Sequence, residues 1–344
     1  MDELTSTRII LLGKSGAGKS SLANTILGED AFKINPFPIS DRSRSCAETR
    51  FVHGQRITVI DTPGFFDTGR SEEEMKPEIV RCITECAPGP HTFLIVLKVE
   101  KFTEQERAVI AKIRQSFSED ALKYSVIVFT HGDQLPDEMT IKEFVQQNKN
   151  LRELVQKCGG RCHVVDNKYW KAGEENNYRS NKRQVAELLD TIHRMVEANK
   201  GSYYTNDMLQ EVRREMKREE ERIRGTSGNM SQDEVTNEAK TSTFQWLMIT
   251  SAGVVTGALL EVLLGVAFTL VSTEGGKAGL ASAAPRWVLA GGVRGYNAAE
   301  GAKSPTEAVQ KTVEEVKKQF MVAADQKKKG QTRNDDGEEG GGGS

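Results

Sequence analysis

From residue 8 to about residue 200, short aliphatic and β-branched runs alternate with longer stretches of helical periodicity, the order expected of a parallel sheet covered by helices. The runs predict strands at 8–12, 57–60, 92–97, 125–130 and 163–166. Helical patterns begin at Lys19, Ser71, Thr103, Thr140 and Asn181, several with Ser or Thr three residues before an acidic side chain that can close a capping box. Thr103-Glu104-Gln105-Glu106 is the clearest of these starts. The predicted fold class is α/β: a doubly wound, mainly parallel sheet with helices on both faces, followed by a C-terminal helical extension.

The pattern changes after Gly201. Residues 210–224 are nearly all Glu, Arg and Lys, with Met208, Leu209, Val212, Met216 and Ile223 as a thin apolar seam, which predicts a solvated helix or a weak coiled coil. Residues 225–240 read as a polar linker. Residues 244–271 then carry one charge, Glu261. At about 1.5 Å per residue, a helix of that length could cross a hydrocarbon layer of roughly 30 Å. Gly253, Gly257, Glu261 and Gly265 recur every fourth position and share a face, the first two forming G-x-x-x-G. The other reading is a buried helix or hairpin folding back on the preceding domain, with Glu261 at its surface. Residues 275–301 are rich in Gly and Ala and predict no firm element. Ser304-Pro305-Thr306-Glu307 opens a further helix, with Val309, Val313, Val316 and Phe320 on one face. The organisation expected is a domain at 6–200, a charged helix and linker at 201–240 and a hydrophobic segment at 241–273. A linker at 274–303, an amphipathic helix at 304–326 and a disordered tail at 327–344 follow, the last ending in an added-looking Gly-Gly-Gly-Gly-Ser.

Three motifs fall where the predicted strands end. Gly13-Lys14-Ser15-Gly16-Ala17-Gly18-Lys19-Ser20 follows the first strand and opens a helix that continues through Ser21. Its glycines let successive N–H groups approach phosphate oxygens, Lys19 can reach the β- and γ-phosphates, and the Ser20 hydroxyl can ligate magnesium. Asp61-Thr62-Pro63-Gly64 follows the second strand, with Asp61 placed as a second magnesium contact and the Gly64 N–H offered to the γ-phosphate. Thr130-His131-Gly132-Asp133 follows the fourth. A carboxylate there can accept the N1–H and the exocyclic amine of guanine, donors that adenine lacks, and the His131 ring can pack on the base. Together the three describe a pocket for GTP or GDP with Mg2+. Tyr169 and Trp170 could stack on a base, but loop packing is the plainer role.

Several segments then resemble a known family, the immunity-associated AIG-type GTPases, also called the GIMAP family. They are Asp61-Thr62-Pro63-Gly64-Phe65-Phe66-Asp67-Thr68, Pro88-Gly89-Pro90-His91 with the strand and Thr103-Glu104-Gln105-Glu106 after it, and Cys158-Gly159-Gly160-Arg161-Cys162-His163 running into Asp166-Asn167. The similarity covers about residues 6–200. It implies a P-loop GTPase fold related to septins and the chloroplast-import GTPases, with Asn167 beside the guanine. It also implies nucleotide-dependent self-association through G domains and a place in the cytoplasm, on the cytosolic face of an intracellular membrane. Two positions depart from the wider pattern. Where a switch threonine normally completes the magnesium shell only serines stand, Ser43 being the candidate. Where Ras-like enzymes orient the attacking water with a glutamine, this chain has Phe65. Lys101 occupies the position from which some relatives reach a partner's nucleotide with an arginine, and an ammonium lacks that bidentate fork. Slow hydrolysis is therefore expected. The alternative is a non-hydrolysing, GTP-loaded membrane scaffold, and an ATP-dependent enzyme is a third reading.

Bulk properties narrow the picture further. A net charge of −2 across 344 residues gives no reason to expect a nucleic-acid partner. Five cysteines, an odd number, suggest reduced thiols and a cytosolic setting, and residues 9–12 are too short for a signal sequence. The C-x-x-x-C pairs Cys82/Cys86 and Cys158/Cys162 are looser than zinc knuckles, so no structural metal is expected there.

Overall fold

In the computed structural model the described residues are 6–34, 47–62, 64, 72–100, 104–170, 177–226, 229–251 and 256–265. The aliphatic runs form β1 (Thr7–Leu12), β3 (Gln55–Asp61), β4 (Thr92–Lys98), β5 (Ser125–Thr130) and β6 (Cys162–Val164). β2 (Ala47–Val52), whose polar-rich AETRFV gave no strand signal, adds an edge to the sheet. The strand order is β2-β3-β1-β4-β5-β6, with every pairing parallel except the antiparallel β2 against β3. Because β1 lies between β3 and β4, the chain winds outward in both directions from it. The crevice at the carboxyl ends of those central strands is where such sheets take ligands.

Between the strands run α1 (Lys19–Leu27), α2 (Glu72–Cys86), α3 (Glu104–Ser116), α4 (Glu119–Lys123), α5 (Ile141–Gln146), α6 (Lys149–Lys157) and α7 (Asn181–Ala198). Thr140 and Glu143 close the expected capping box at α5. One face of the sheet buries Ile9, Leu11, Val59, Leu94, Val96, Val126 and Val128 against Leu22, Ile26, Leu188 and Ile192 of α1 and α7. The alternate residues Ile10, Leu12, Phe93, Ile95 and Phe129 are equally buried, as the two-residue period of a strand covered on both faces requires. Phe93 meets Phe117 and Tyr204 edge-on, and Phe129 meets Phe144 in the same way.

Two expectations change beyond residue 200. The charged segment forms α8 (Asp207–Thr226), but residues 225–240 are not simply a linker, since α9 (Gln232–Thr250) begins within them. Its start is a Ser231–Glu234 box, the Glu234 carboxylate accepting from the Ser231 N–H at 2.8 Å and the Ser231 hydroxyl from the Glu234 N–H at 3.3 Å. Ile223, Val235 and Ala239 bury one another with Met216 and Met230 alongside, apolar contacts too sparse in sequence to show as a pattern. The hydrophobic segment contributes the end of α9 and, separately, α10 (Thr256–Leu263). α10 packs on α2 and α8 with Leu259, Leu260, Val262 and Leu263 buried, so this part follows the fold-back reading. Asn206 holds its end by donating to the Val262 carbonyl at 2.7 Å. Among the described residues no helix is long and apolar enough to cross a membrane.

The chain divides into two units, residues 1–244 with 256–282 and residues 245–255 with 283–344. The candidate site lies wholly within the first. In the second, the Ser251 hydroxyl donates to the Leu247 carbonyl at 2.6 Å. The expected helix at 304–326, the Gly/Ala stretch and the tail lie outside the described residues, as do Ser43, Lys101 and Phe65.

Candidate functional site

β1 delivers the chain to a tight turn whose geometry dictates glycine at two positions. A Cβ on Gly13 would stand 2.5 Å from the Val96 carbonyl oxygen of the neighbouring β4, and Gly18 has φ +83°. Gly18 caps α1 without any side-chain hydrogen bond to its first turn, leaving the helix N-terminus open toward a ligand. Ser15 and Gly16 are exposed at the tip, while Ala17 is fully buried. The Thr130 hydroxyl at the end of β5 donates to the Ala17 carbonyl at 2.8 Å and lies 3.0 Å from His131 Nδ1, tying the turn to the third motif. Lys19, 7% exposed, curls back so that Nζ donates to the carbonyls of Gly13 and Lys14 at 3.2 and 3.0 Å. Lys14 pairs with Glu100 beyond β4 at 3.0 Å.

Ser20, at the second position of α1, donates its hydroxyl to Asp61 Oδ2 at the end of β3. The other carboxylate oxygen, Oδ1, is buried and has no hydrogen-bond partner among the described residues. Burial pushes the Asp61 carboxyl up, opposed by the Ser20 hydroxyl, the Lys19 ammonium and the Thr62 amide. A buried carboxylate with one orphaned oxygen beside a hydroxyl is a donor set suited to a hard cation such as Mg2+. Thr62 anchors the start of the following loop on β1, donating to the Leu11 carbonyl at 2.5 Å, and Gly64 is buried.

The third motif ends β5. His131 is exposed with φ +58°, and Gly132, which begins a short 3-10 turn, donates its N–H to the Val165 carbonyl at 3.0 Å. Trp170 lies against Gly132 so closely that a Cβ there would sit 2.5 Å from the ring, so Trp170 is loop packing. Tyr169 is 63% exposed, with the Lys168 ammonium 4.8 Å from its ring centroid. Asn167 comes from the loop after β6 and meets α1, accepting from the Thr25 hydroxyl at 2.9 Å and donating weakly to the Gly18 carbonyl at 3.5 Å. Gly13 through Ser21, Asp61, Gly64, His131, Gly132, Asp133 and Asn167 thus converge at the carboxyl ends of β1, β3, β5 and β6.

Sequence reasoning missed Asp166, which it placed at the end of a strand. β6 stops at Val164, and Asp166 turns the chain instead, its Oδ1 accepting from the amides of Lys168, at 2.9 Å, and Tyr169. The available signal was Asp-Asn at a strand end, an Asx-turn pair.

The AIG1 family model matches residues 7–223. Immune-associated nucleotide-binding protein 9 of Arabidopsis thaliana is 31% identical over 232 residues, covering 64% of this chain and 66% of that protein. GTPase IMAP family member 8 of Homo sapiens is 33% identical over 207 residues, covering 59% of this chain and 30% of that protein. The chain therefore spans just under two thirds of the first relative and under a third of the second. Among solved structures, Toc33 from Arabidopsis thaliana in complex with GDP and Mg2+ is 22% identical with a TM-score of 0.43, covering 55% of this chain and 84% of that one.

Proposed function

The chain belongs to the AIG1 family, and on that premise we propose that it is a guanine-nucleotide-binding switch that hydrolyses GTP slowly to GDP and phosphate. The observation that carries the reading is the Ser20–Asp61 contact with its orphaned Oδ1, built at the mouth of a glycine-defined phosphate turn. Lys19 and the turn's N–H groups hold the phosphates, and Ser20 and Asp61 hold Mg2+, with Ser43 proposed to join them. Bound there, the ion neutralises phosphate charge. Asp133 reads the guanine edge, His131 packs on its plane, and Asn167, tied to α1 through Thr25, stands beside it. The Gly64 amide reports the γ-phosphate to the loop that leads into α2.

The slow rate follows from Phe65, which has no group to orient water, so catalysis in one chain rests on positioning and on the charge of Lys19 and the ion held by Ser20 and Asp61. Self-association through the G domains would bring Lys101 of a second copy to the nucleotide. Assembly at the cytosolic face of an intracellular membrane is the finer part of the proposal; it rests on the family resemblance of residues 6–200 and not on α10, which packs on α2 and α8. Single-turnover hydrolysis at rising protein concentration tests the enzyme reading. The expected rate at low concentration is about 10⁻⁴ to 10⁻³ per second, climbing as copies associate. GTP that persists at every concentration would make the chain a nucleotide-loaded scaffold instead.

A further inference from the structure

We propose that Asp166 is the positioning residue of base recognition, locking the two base-reading loops together so that the Asp133 carboxylate faces the exocyclic amine of guanine. The inference rests on the guanine-nucleotide reading of the site and deepens it.

Asp166 is 2% exposed. A buried carboxylate is costly unless hydrogen-bonded. Here the hydrogen bonds come from backbone amides on both loops. On its own loop, Oδ1 accepts from the N–H groups of Lys168 and Tyr169, fixing the turn that carries Asn167. Across the gap, Oδ2 accepts from the Asp133 N–H at 3.3 Å. That amide belongs to the residue whose side chain reads the base. The Gly132 N–H to Val165 carbonyl bond, 3.0 Å, runs beside it, so adjacent residues of each loop are tied to the other.

Asp166 is itself clamped. Its N–H donates to Asn181 Oδ1 at 3.1 Å and its carbonyl accepts from Asn181 Nδ2 at 2.6 Å, and Asn181, 7% exposed, is the first residue of α7. The reading carboxylate is thereby referred to a long helix packed on the sheet rather than to a free loop. A residue serving only its own turn would need no bond to Asp133. A side-chain hydrogen bond with Asp166 and then burial raise the Asp133 carboxyl, so the two carboxyl groups lie close together. Burial would raise Asp166 too, but the bonds from Asp133, Tyr169 and Lys168 hold it below the usual range.

The test compares GDP with IDP, which lacks the exocyclic amine, by displacement of a fluorescent GDP from the full chain. The wild type should prefer GDP by about tenfold, the scale of one hydrogen bond to a charged acceptor. Asp166→Ala should cut that preference to about threefold or less, while Asp166→Asn, which keeps Oδ1 for the turn, should fall between. A role confined to stability would weaken both nucleotides by the same factor and leave the ratio unchanged, which overturns the proposal. Should Asp166→Ala not fold, an unchanged ratio in Asp166→Asn overturns it equally. A wild type that does not prefer GDP over ADP refutes the underlying site reading, a result distinguishable from either.

Discussion

Gly132→Ala places a methyl group where the Trp170 indole already sits. The added Cβ would lie 2.5 Å from one ring carbon and 2.8 Å from two others, where 3.4–4 Å is ordinary contact, so either the ring or the loop must retreat by about 1 Å. The ring cannot move freely. Trp170 is 6% exposed, and the Arg179 guanidinium lies 6.0 Å from its ring centroid, held by bonds to the carbonyls of Leu135 at 3.0 Å and Pro136 at 2.7 Å. The loop carrying Asp133 should therefore give way, costing about 1–3 kcal/mol of stability. Guanine-nucleotide affinity should fall by about tenfold, the loss of one well-aligned charged hydrogen bond. Urea unfolding and fluorescent-GDP titration measure the two effects. Trp170→Leu removes the obstructing ring, so the double variant should show a coupling of about 1 kcal/mol or more. Costs that add to within about 0.5 kcal/mol would mean that the ring is not what excludes the methyl, and the reasoning fails.

Acid should destabilise the fold through His91, 6% exposed, whose Nδ1 accepts from the Arg8 N–H at 3.0 Å and whose pKa burial and then Arg8 lower to about 4. Because the unfolded histidine titrates near 6.5, its contribution is complete above that pH and is lost as pH falls from 6.5 through about 4. The loss is about 2 kcal/mol by pH 5, and His163, also lowered to about 4 chiefly by burial, acts in the same direction. Urea midpoints between about pH 7.5 and pH 5 report it; a midpoint that does not move in wild type contradicts the burial argument. Chelating Mg2+ should weaken nucleotide binding in wild type and have little effect in Asp61→Asn, because the proposal has the ion satisfy the orphaned Asp61 oxygen. Equal sensitivity of both proteins would remove Asp61 from the metal site.

The sheet was legible because strands buried on both faces, such as 125–130 with every residue buried, carry apolar runs such as Val126 to Phe129 rather than an alternating pattern. β2 was not, since an edge strand half covered on its faces carries Glu48, Thr49 and Arg50 without a clean period, and its Thr49–Thr58 contact is with the strand beside it. The glycine-rich turn after β1 was readable from glycine spacing, because steric need fixes residue type at Gly13 and Gly18. Asp166 escaped because its role is defined by amides of Asp133 and Tyr169, and a side chain's partners across a fold leave no spacing in sequence. The same holds for α9, whose Ser231–Glu234 start lies in a polar stretch and whose burial depends on Ile223 of another helix.

The central claim is that the pocket reads guanine through Asp133, and the most direct measurement is nucleotide specificity of Asp133→Asn. An amide in place of the carboxylate exchanges two acceptors for a donor and an acceptor, the complement of xanthine rather than guanine. The variant should lose GTP by about a hundredfold or more and gain XTP by a comparable factor, with ATP unaffected. A variant that keeps its GTP preference would show that Asp133 does not read the base.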